Sequence, residues 1–331
     1  MSNGETMARG KIGLALGGGL ARGWAHIGVL NALEAAGIRP DIVAGTSIGA
    51  VAGGCYVGGK LHLLEEFARS LTRRKVFGFL DFNLAGTGLI SGDRLNDLLG
   101  LHFGRQQMDM LDRKFVAVAT EIGTGHEVWL SHGSLVDAMR ASYALPGIFK
   151  PVKLDGRWLF DGAIVNPVPV SVCRALGASV VIAVNLQHDV FGKGTVLADS
   201  RADRASEATL PPPNDATVSK GGALRLLHRQ FFGGGSDTPG ISTVMMEAFN
   251  ITQDRIARSR LAGDPPDFTI APRLGGFSAF DFHRADDLIA LGAAATQRAL
   301  EDIRHSVPSR SEPAKLATDP HAGIRSAEID H

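Results

Sequence analysis

Short apolar runs alternate with longer amphipathic stretches along most of the chain. Lys11–Leu16 is continuous and apolar, the pattern of a strand covered on both faces. It ends in Gly17-Gly18-Gly19. Ile27, Leu30 and Leu33 then recur at helical spacing within 21–36, and Gly37 supplies a stop. Pro40 leads into a second strand at 41–44, which breaks at Gly45-Thr46-Ser47-Ile48-Gly49. A second helix starts there on small residues, Ala50, Ala52, Gly53 and Gly54. Strand, crossover helix and strand in about 35 residues make a βαβ unit, and such units build parallel sheets.

The pattern continues with strands at 115–120 and Glu127–Leu130, a helix at 134–143, and a break at Pro146-Gly147. Val152–Leu154 and 157–160 flank Asp155-Gly156, a dipeptide suited to a tight hairpin turn. A strand at 179–184, a helix at 241–260, a strand at 267–270 and a helix at 285–304 follow. The expectation is one α/β domain over 10–305 with a mostly parallel sheet and an antiparallel excursion. Residues 189–240 change character, with Pro211-Pro212-Pro213 and Gly233-Gly234-Gly235, and read as a lid or mobile insertion. Inside it, Leu224, Leu227 and Phe231 would share one side of a helix and Arg225 and Arg229 another. Residues 306–331 are polar and read as a disordered tail.

Composition narrows the function classes. Lys+Arg and Asp+Glu both total 34, so the chain lacks the net positive charge expected of a nucleic-acid binder. Cys55 and Cys173 sit in apolar surroundings and read as buried thiols of a reducing compartment. The opening MSNGETMARG has no apolar signal-peptide core, and no apolar run is long enough to span a bilayer. A cytoplasmic protein is expected, with peripheral contact at the inner membrane surface left open. Two segments suit such contact: 69–80, which mixes Arg and Lys with Phe and Leu, and 224–232. For the first, a basic helix end is the simpler reading. Oligomeric state is not legible.

Of 41 glycines, 15 fall in the first 60 residues, where the two candidate loops lie. The first loop, Gly17 to Gly23, joins a strand to a helix, where unsatisfied N–H groups hold negative charge. Dinucleotide binding would need an acid at the end of the second strand, but Asp41 stands at its start. At that end stands GTSIG, a GxSxG match centred on Ser47. The glycines fit a cramped strand-to-helix elbow that presents a nucleophilic hydroxyl. The Ile48 N–H would serve as one oxyanion donor, and Gly18-Gly19 on the neighbouring strand end would face Ser47 with others. The nucleophile follows only two strands, which argues against an α/β-hydrolase. Eleven His residues leave a triad open by inventory, though none has an evident catalytic setting. Asp161-Gly162 follows a strand at once and stands too close to the Asp155-Gly156 turn to be a second hairpin, which marks Asp161 as functional.

GGGLARGWAHIGVL, GTSIGA, ALPGIFKPV and FDGAIVNPVPV, in this order, resemble the patatin-like phospholipases, in particular their bacterial cytosolic group. ITQDRIARSRLAGDPPD and FHRA extend the likeness to about residue 305. The resemblance implies a three-layer α/β/α fold and a serine–aspartate dyad, with Ser47 as nucleophile and Asp161 as base. It places the oxyanion hole at Gly17, Gly18 and Gly19, and implies a lipid or other acyl-ester substrate, no cofactor and no metal. Arg22 holds the family's basic position and is expected to face the ester or headgroup. Leu20 departs from the pattern, since many members carry Gly or another small residue there, and is expected to narrow the site. The competing reading is a patatin-fold regulatory or lipid-binding protein with weak or no activity.

Overall fold

The computed structural model describes residues 10–72, 93–192 and 241–306. The proposed insertion from 193 onward, the 224–232 segment, most of the basic stretch after Thr72 and the tail beyond 306 lie outside the described residues.

The strands are β1 (Lys11–Leu16), β2 (Ile42–Thr46), β3 (Lys114–Glu121), β4 (Glu127–Leu130), β5 (Val152–Leu154), β6 (Arg157–Asp161), β7 (Ala178–Val184) and β8 (Phe268–Ile270). The helices are α1 (Ala25–Ala35), α2 (Ile48–Val57), α3 (Leu61–Ser70), α4 (Asp93–Phe103), α5 (Leu135–Tyr143), α6 (Val170–Ala175), α7 (Ile241–Gly263) and α8 (Ala285–Ser306). β8, β7, β1, β2 and β3 run parallel, and β4 pairs antiparallel with β3. One apolar cluster joins one face of the sheet to α1, α2, α5 and α8. A second joins the other face to Val172 and Cys173 of α6 and Ala257 of α7. This is a three-layer α/β/α arrangement.

One feature of the register sets up the site. β2 pairs with β3 up to Thr46↔Val118, and β6 pairs antiparallel with β3 from Ala119↔Asp161 onward. β4 faces both stretches, opposite Val118 and Ala119 alike, so β2 and β6 share the other edge of β3. They arrive from opposite directions and meet end to end. The carboxyl end of β2 is therefore brought against the carboxyl end of β6. The hairpin that delivers β6 turns at Asp155-Gly156, both at positive φ (48° and 81°), as a primed two-residue turn requires.

Boundaries differ from the sequence expectation at the functional ends. β2 continues two residues further, through Gly45 and Thr46, because both pair with β3. Asp161 is the last residue of β6 instead of the first beyond it. Residues Leu20–Trp24, expected as the first turn of α1, form a separate 3-10 turn that bends the glycine loop before α1 begins.

Candidate active site

Ser47 sits between β2 and α2 at φ 57°, ψ −126°, a region that disfavours side chains. Its neighbours explain how it is held there. A Cβ on Gly49 would run into the Leu16 carbonyl, and one on Gly45 into the Gly49 carbonyl and Ala50 backbone. Only glycine on both flanks allows α2 to start this close to the sheet. The Ser47 N–H donates to Ser142 Oγ at 2.9 Å, and Ser142 Oγ donates in turn to the Val118 carbonyl at 2.6 Å. Thr46 Oγ1 donates to the Asn166 carbonyl at 2.8 Å.

Across the junction of the two strands, Ser47 Oγ donates to Asp161 Oδ2 at 2.5 Å. The other carboxylate oxygen accepts from the Ala163 N–H at 2.8 Å. Asp161 is itself fixed at both backbone ends, its N–H on the Ala144 carbonyl and its carbonyl on Thr120 Oγ1. It is 1% exposed. Burial pushes its pKa up to about 7, against the opposing pull of the hydrogen bonds from Ser47 and Ala163.

The glycine loop lies against this pair. A Cβ on Gly18 would stand 3.6 Å from Ser47 Cβ and 3.3 Å from Ala163 Cβ. The expectation that Gly17 and Gly18 offer free donors is corrected here. The Gly17 N–H donates to the Val184 carbonyl at 3.1 Å, and the Gly18 N–H to the Pro167 carbonyl at 3.0 Å. Both are spent in securing the loop. Among the described residues no hydrogen bond engages the Gly19 N–H, and the Ile48 N–H, first in α2, has no intrahelical acceptor. His26 Nε2 lies 2.7 Å from the Gly17 carbonyl, and burial lowers its pKa to about 4. It is thus a neutral imidazole whose Nε2–H donates to that carbonyl.

Arg22, which the resemblance implied would face the ester or headgroup, has its Nε engaged by the loop that follows β8. It is buried, and Nε donates to the Phe277 carbonyl at 3.1 Å. Burial lowers its pKa while Glu247, Asp189 and Asp281 oppose that shift. Ala21 N–H on the Ala279 carbonyl and Trp24 Nε1 on the Phe282 carbonyl add to the same seam. The segment after Gly19 is thereby stitched to the loop that follows β8. Leu20, at φ 52°, projects beside Leu145 and Ile148, with Phe149, Met246, Phe249 and Phe280 around them. This apolar cluster adjoins the pair, because Leu145 follows the residue that holds the Asp161 N–H. Cys55 and Cys173 are buried free thiols, each with its pKa raised by burial to about 12.

Sequence reading missed Ser142, Ala144 and the inward residues of α7. Ser142 had no local signal, since its partner is 95 positions away. Asn250 and Gln253 had one: amides at i and i+3 inside the apolar stripe of a helix.

Fold and site define a class: an α/β/α protein that presents a serine at a strand-to-helix elbow beside a buried aspartate. The comparisons narrow it. The family model for patatin-like phospholipase matches residues 14–174. An uncharacterized NTE family protein of Mycobacterium tuberculosis is 32% identical over 332 residues, covering 88% of this chain and 91% of that protein. The chain belongs to the patatin-like phospholipase family. Patatin-like phospholipase domain-containing protein 6 of Homo sapiens is 36% identical over 182 residues, 53% of this chain and 13% of that protein. Lysophospholipase nte1 of Emericella nidulans is 35% identical over 180 residues, 53% of this chain and 12% of that one. Among solved structures, VipD from Legionella pneumophila superposes with a TM-score of 0.48 at 14% identity, covering 89% of this chain and 67% of that one. Among the described residues, no helix is long and apolar enough to cross a membrane.

Proposed function

We propose that the chain is a serine acyl hydrolase that cleaves lipid esters through Ser47 and Asp161. One observation carries this reading: a buried carboxylate with its pKa raised to about 7 accepts, at 2.5 Å, the hydroxyl of a serine held in a strained elbow. A carboxylate near 4 would be a weak base, and one near 7 is matched to neutral pH. Ser47 Oγ attacks the ester carbonyl and gives its proton to Asp161 Oδ2. The Gly19 and Ile48 N–H groups stabilise the oxyanion. The carbon–alkoxy bond then breaks, and Asp161 returns the proton to the departing alcohol. Water, deprotonated by Asp161, releases the acyl group from Ser47 by the same steps in reverse. The apolar cluster of Leu20, Leu145 and Ile148 receives the acyl chain. The family and the relative named as a lysophospholipase support a lipid substrate.

The test uses a fluorophosphonate serine-hydrolase probe and a chromogenic acyl ester on purified protein. Labelling is expected at Ser47, absent in Ser47→Ala, with ester turnover reduced by at least ~10³-fold in that variant. A folded protein that neither labels nor turns over ester belongs to the regulatory or lipid-binding reading instead.

A further inference from the structure

Helix α7 turns one stripe inward. Met246 and Phe249 enter the apolar cluster at one end, and Ala257 joins the core beneath the sheet at the other. Between them the stripe is broken by Asn250 and Gln253, 3% and 4% exposed. These positions share one helical face, so amides stand where a helix serving only as packing carries Leu or Ala.

The break lies over the catalytic loop. Gln253 Oε1 is 3.5 Å from where a Cβ on Gly18 would stand, and Ser47 Cβ is 3.6 Å from the same point. Gln253 Oε1 also accepts from Gln187 Nε2 at 3.0 Å, so the set extends to the segment after β7. Two of its atoms are buried without a partner among the described residues: Asn250 Nδ2, a donor, and Gln187 Oε1, an acceptor. Unpaired polar groups cost stability, and their retention beside a reactive serine points to a ligand that completes them.

We propose that Asn250 and Gln187, braced by Gln253, form the subsite for the alcohol part of the ester and recognise a hydroxyl next to the scissile bond, as in a monoacylated glycerol. A hydroxyl accepts one hydrogen bond and donates one, matching one free donor and one free acceptor. An ionised phosphate oxygen has no proton for Gln187, and an ammonium has no lone pair for Asn250. Arg22, the nearby cation, gives Nε to the Phe277 carbonyl while its Nη1 has no partner among the described residues, and its charge is offset by Glu247, Asp189 and Asp281. The acyl chain runs the other way, toward Met246 and Phe249. This assignment rests on the acyl-hydrolase reading and adds a specificity to it.

The test compares kcat/KM on 1-monooleoylglycerol, on a 1-oleoyl lysophospholipid with a free sn-2 hydroxyl, and on n-propyl oleate, which keeps the three-carbon alcohol without its other hydroxyls. The wild type favours both glycerol esters over the propyl ester. Asn250→Leu and Gln187→Leu each lower that preference by ~10- to 100-fold. Asn250→Leu also melts at or above the wild-type temperature, because an unpaired buried amide has been replaced by an apolar side chain of similar size. Equal kcat/KM on glycerol and propyl esters in the wild type, or a preference unchanged in both variants, overturns the subsite. A loss confined to the lysophospholipid overturns the assignment to a neutral hydroxyl. Failure of the folded wild type to cleave any of the three overturns the acyl-hydrolase reading itself.

Discussion

Asp161→Asn should abolish turnover and stabilise the protein at alkaline pH, and the two effects share one cause. The folded-state pKa of Asp161 is raised from 3.8 to about 7 by burial. A carboxyl whose pKa is raised on folding binds its proton more tightly in the folded state. Its contribution to stability is therefore full below the unfolded value and is lost as pH climbs through the folded one. With ~1.4 kcal/mol per pKa unit, the loss amounts to about 4 kcal/mol once pH exceeds 7, of which about 2–3 kcal/mol accrues between pH 5 and 8. Asparagine is a neutral isostere whose Oδ1 still accepts from Ala163. The variant should thus gain on the wild type by roughly 3–8 °C in melting temperature as pH is raised from 5 to 8. Thermal unfolding of both proteins across that range, read as a difference between them, removes the contribution of His26. That group has a lowered pKa, so its stabilisation falls as pH drops from 6.5 toward about 4, equally in both proteins. If the two melting curves shift in parallel across the range, Asp161 does not titrate there. The pKa argument for its role as base then fails, whatever the variant's activity.

The same protonation should govern the rate. With Asp161 as the base, kcat/KM is expected to fall about tenfold per pH unit below a midpoint near 7, since only the ionised Asp161 accepts the proton. A midpoint near 4 in the pH–rate profile of an ester substrate would show a carboxylate in contact with solvent. Ser142→Ala leaves the Ser47 N–H and the Val118 carbonyl without their shared partner. It should cost ~1–3 kcal/mol in denaturant unfolding, and reduce kcat more than it raises KM, because the elbow loosens while the substrate surfaces stay. A kcat unchanged alongside that loss of stability would mean that Ser142 packs the helix without positioning the nucleophile.

The βαβ start and the GxSxG elbow were legible because their determinants are local: a glycine on each side of Ser47, and an apolar run on each side of the crossover. Asp161 was legible only as an oddity, an Asp-Gly too near another turn. Its closeness to Ser47 follows from β2 and β6 sharing one edge of β3, a register that no window of sequence contains. The donor assignment failed for a related reason. Three consecutive glycines look equivalent in sequence, but Val184 and Pro167 claim the first two, and those partners lie about 150 residues away. Arg22 shows the same limit of local reading. Its position in the motif suggests a substrate contact, whereas the loop after β8, invisible to any local reading, buries it. α7 combines both cases, since its amides can be seen in the sequence, whereas the missing partner of Asn250 Nδ2 among the described residues cannot.

Ser47 and Leu20 are each held at a φ that favours glycine, at a cost of roughly 1–3 kcal/mol apiece. Such strain persists only where the surroundings over-determine it, and here the surroundings are specific. The end of α5 contacts both members of the pair: Ser142 takes the Ser47 N–H, and two residues later the Ala144 carbonyl takes the Asp161 N–H. Ser47 and Asp161 are thus referenced to one short segment, which is bonded in turn to β3 through Val118. The glycine loop is held independently, by β7 through Gly17 and by the loop after β8 through Arg22. The Ser47–Asp161 pair and the glycine loop are therefore anchored to separate strands, the first to β3 and the second to β7.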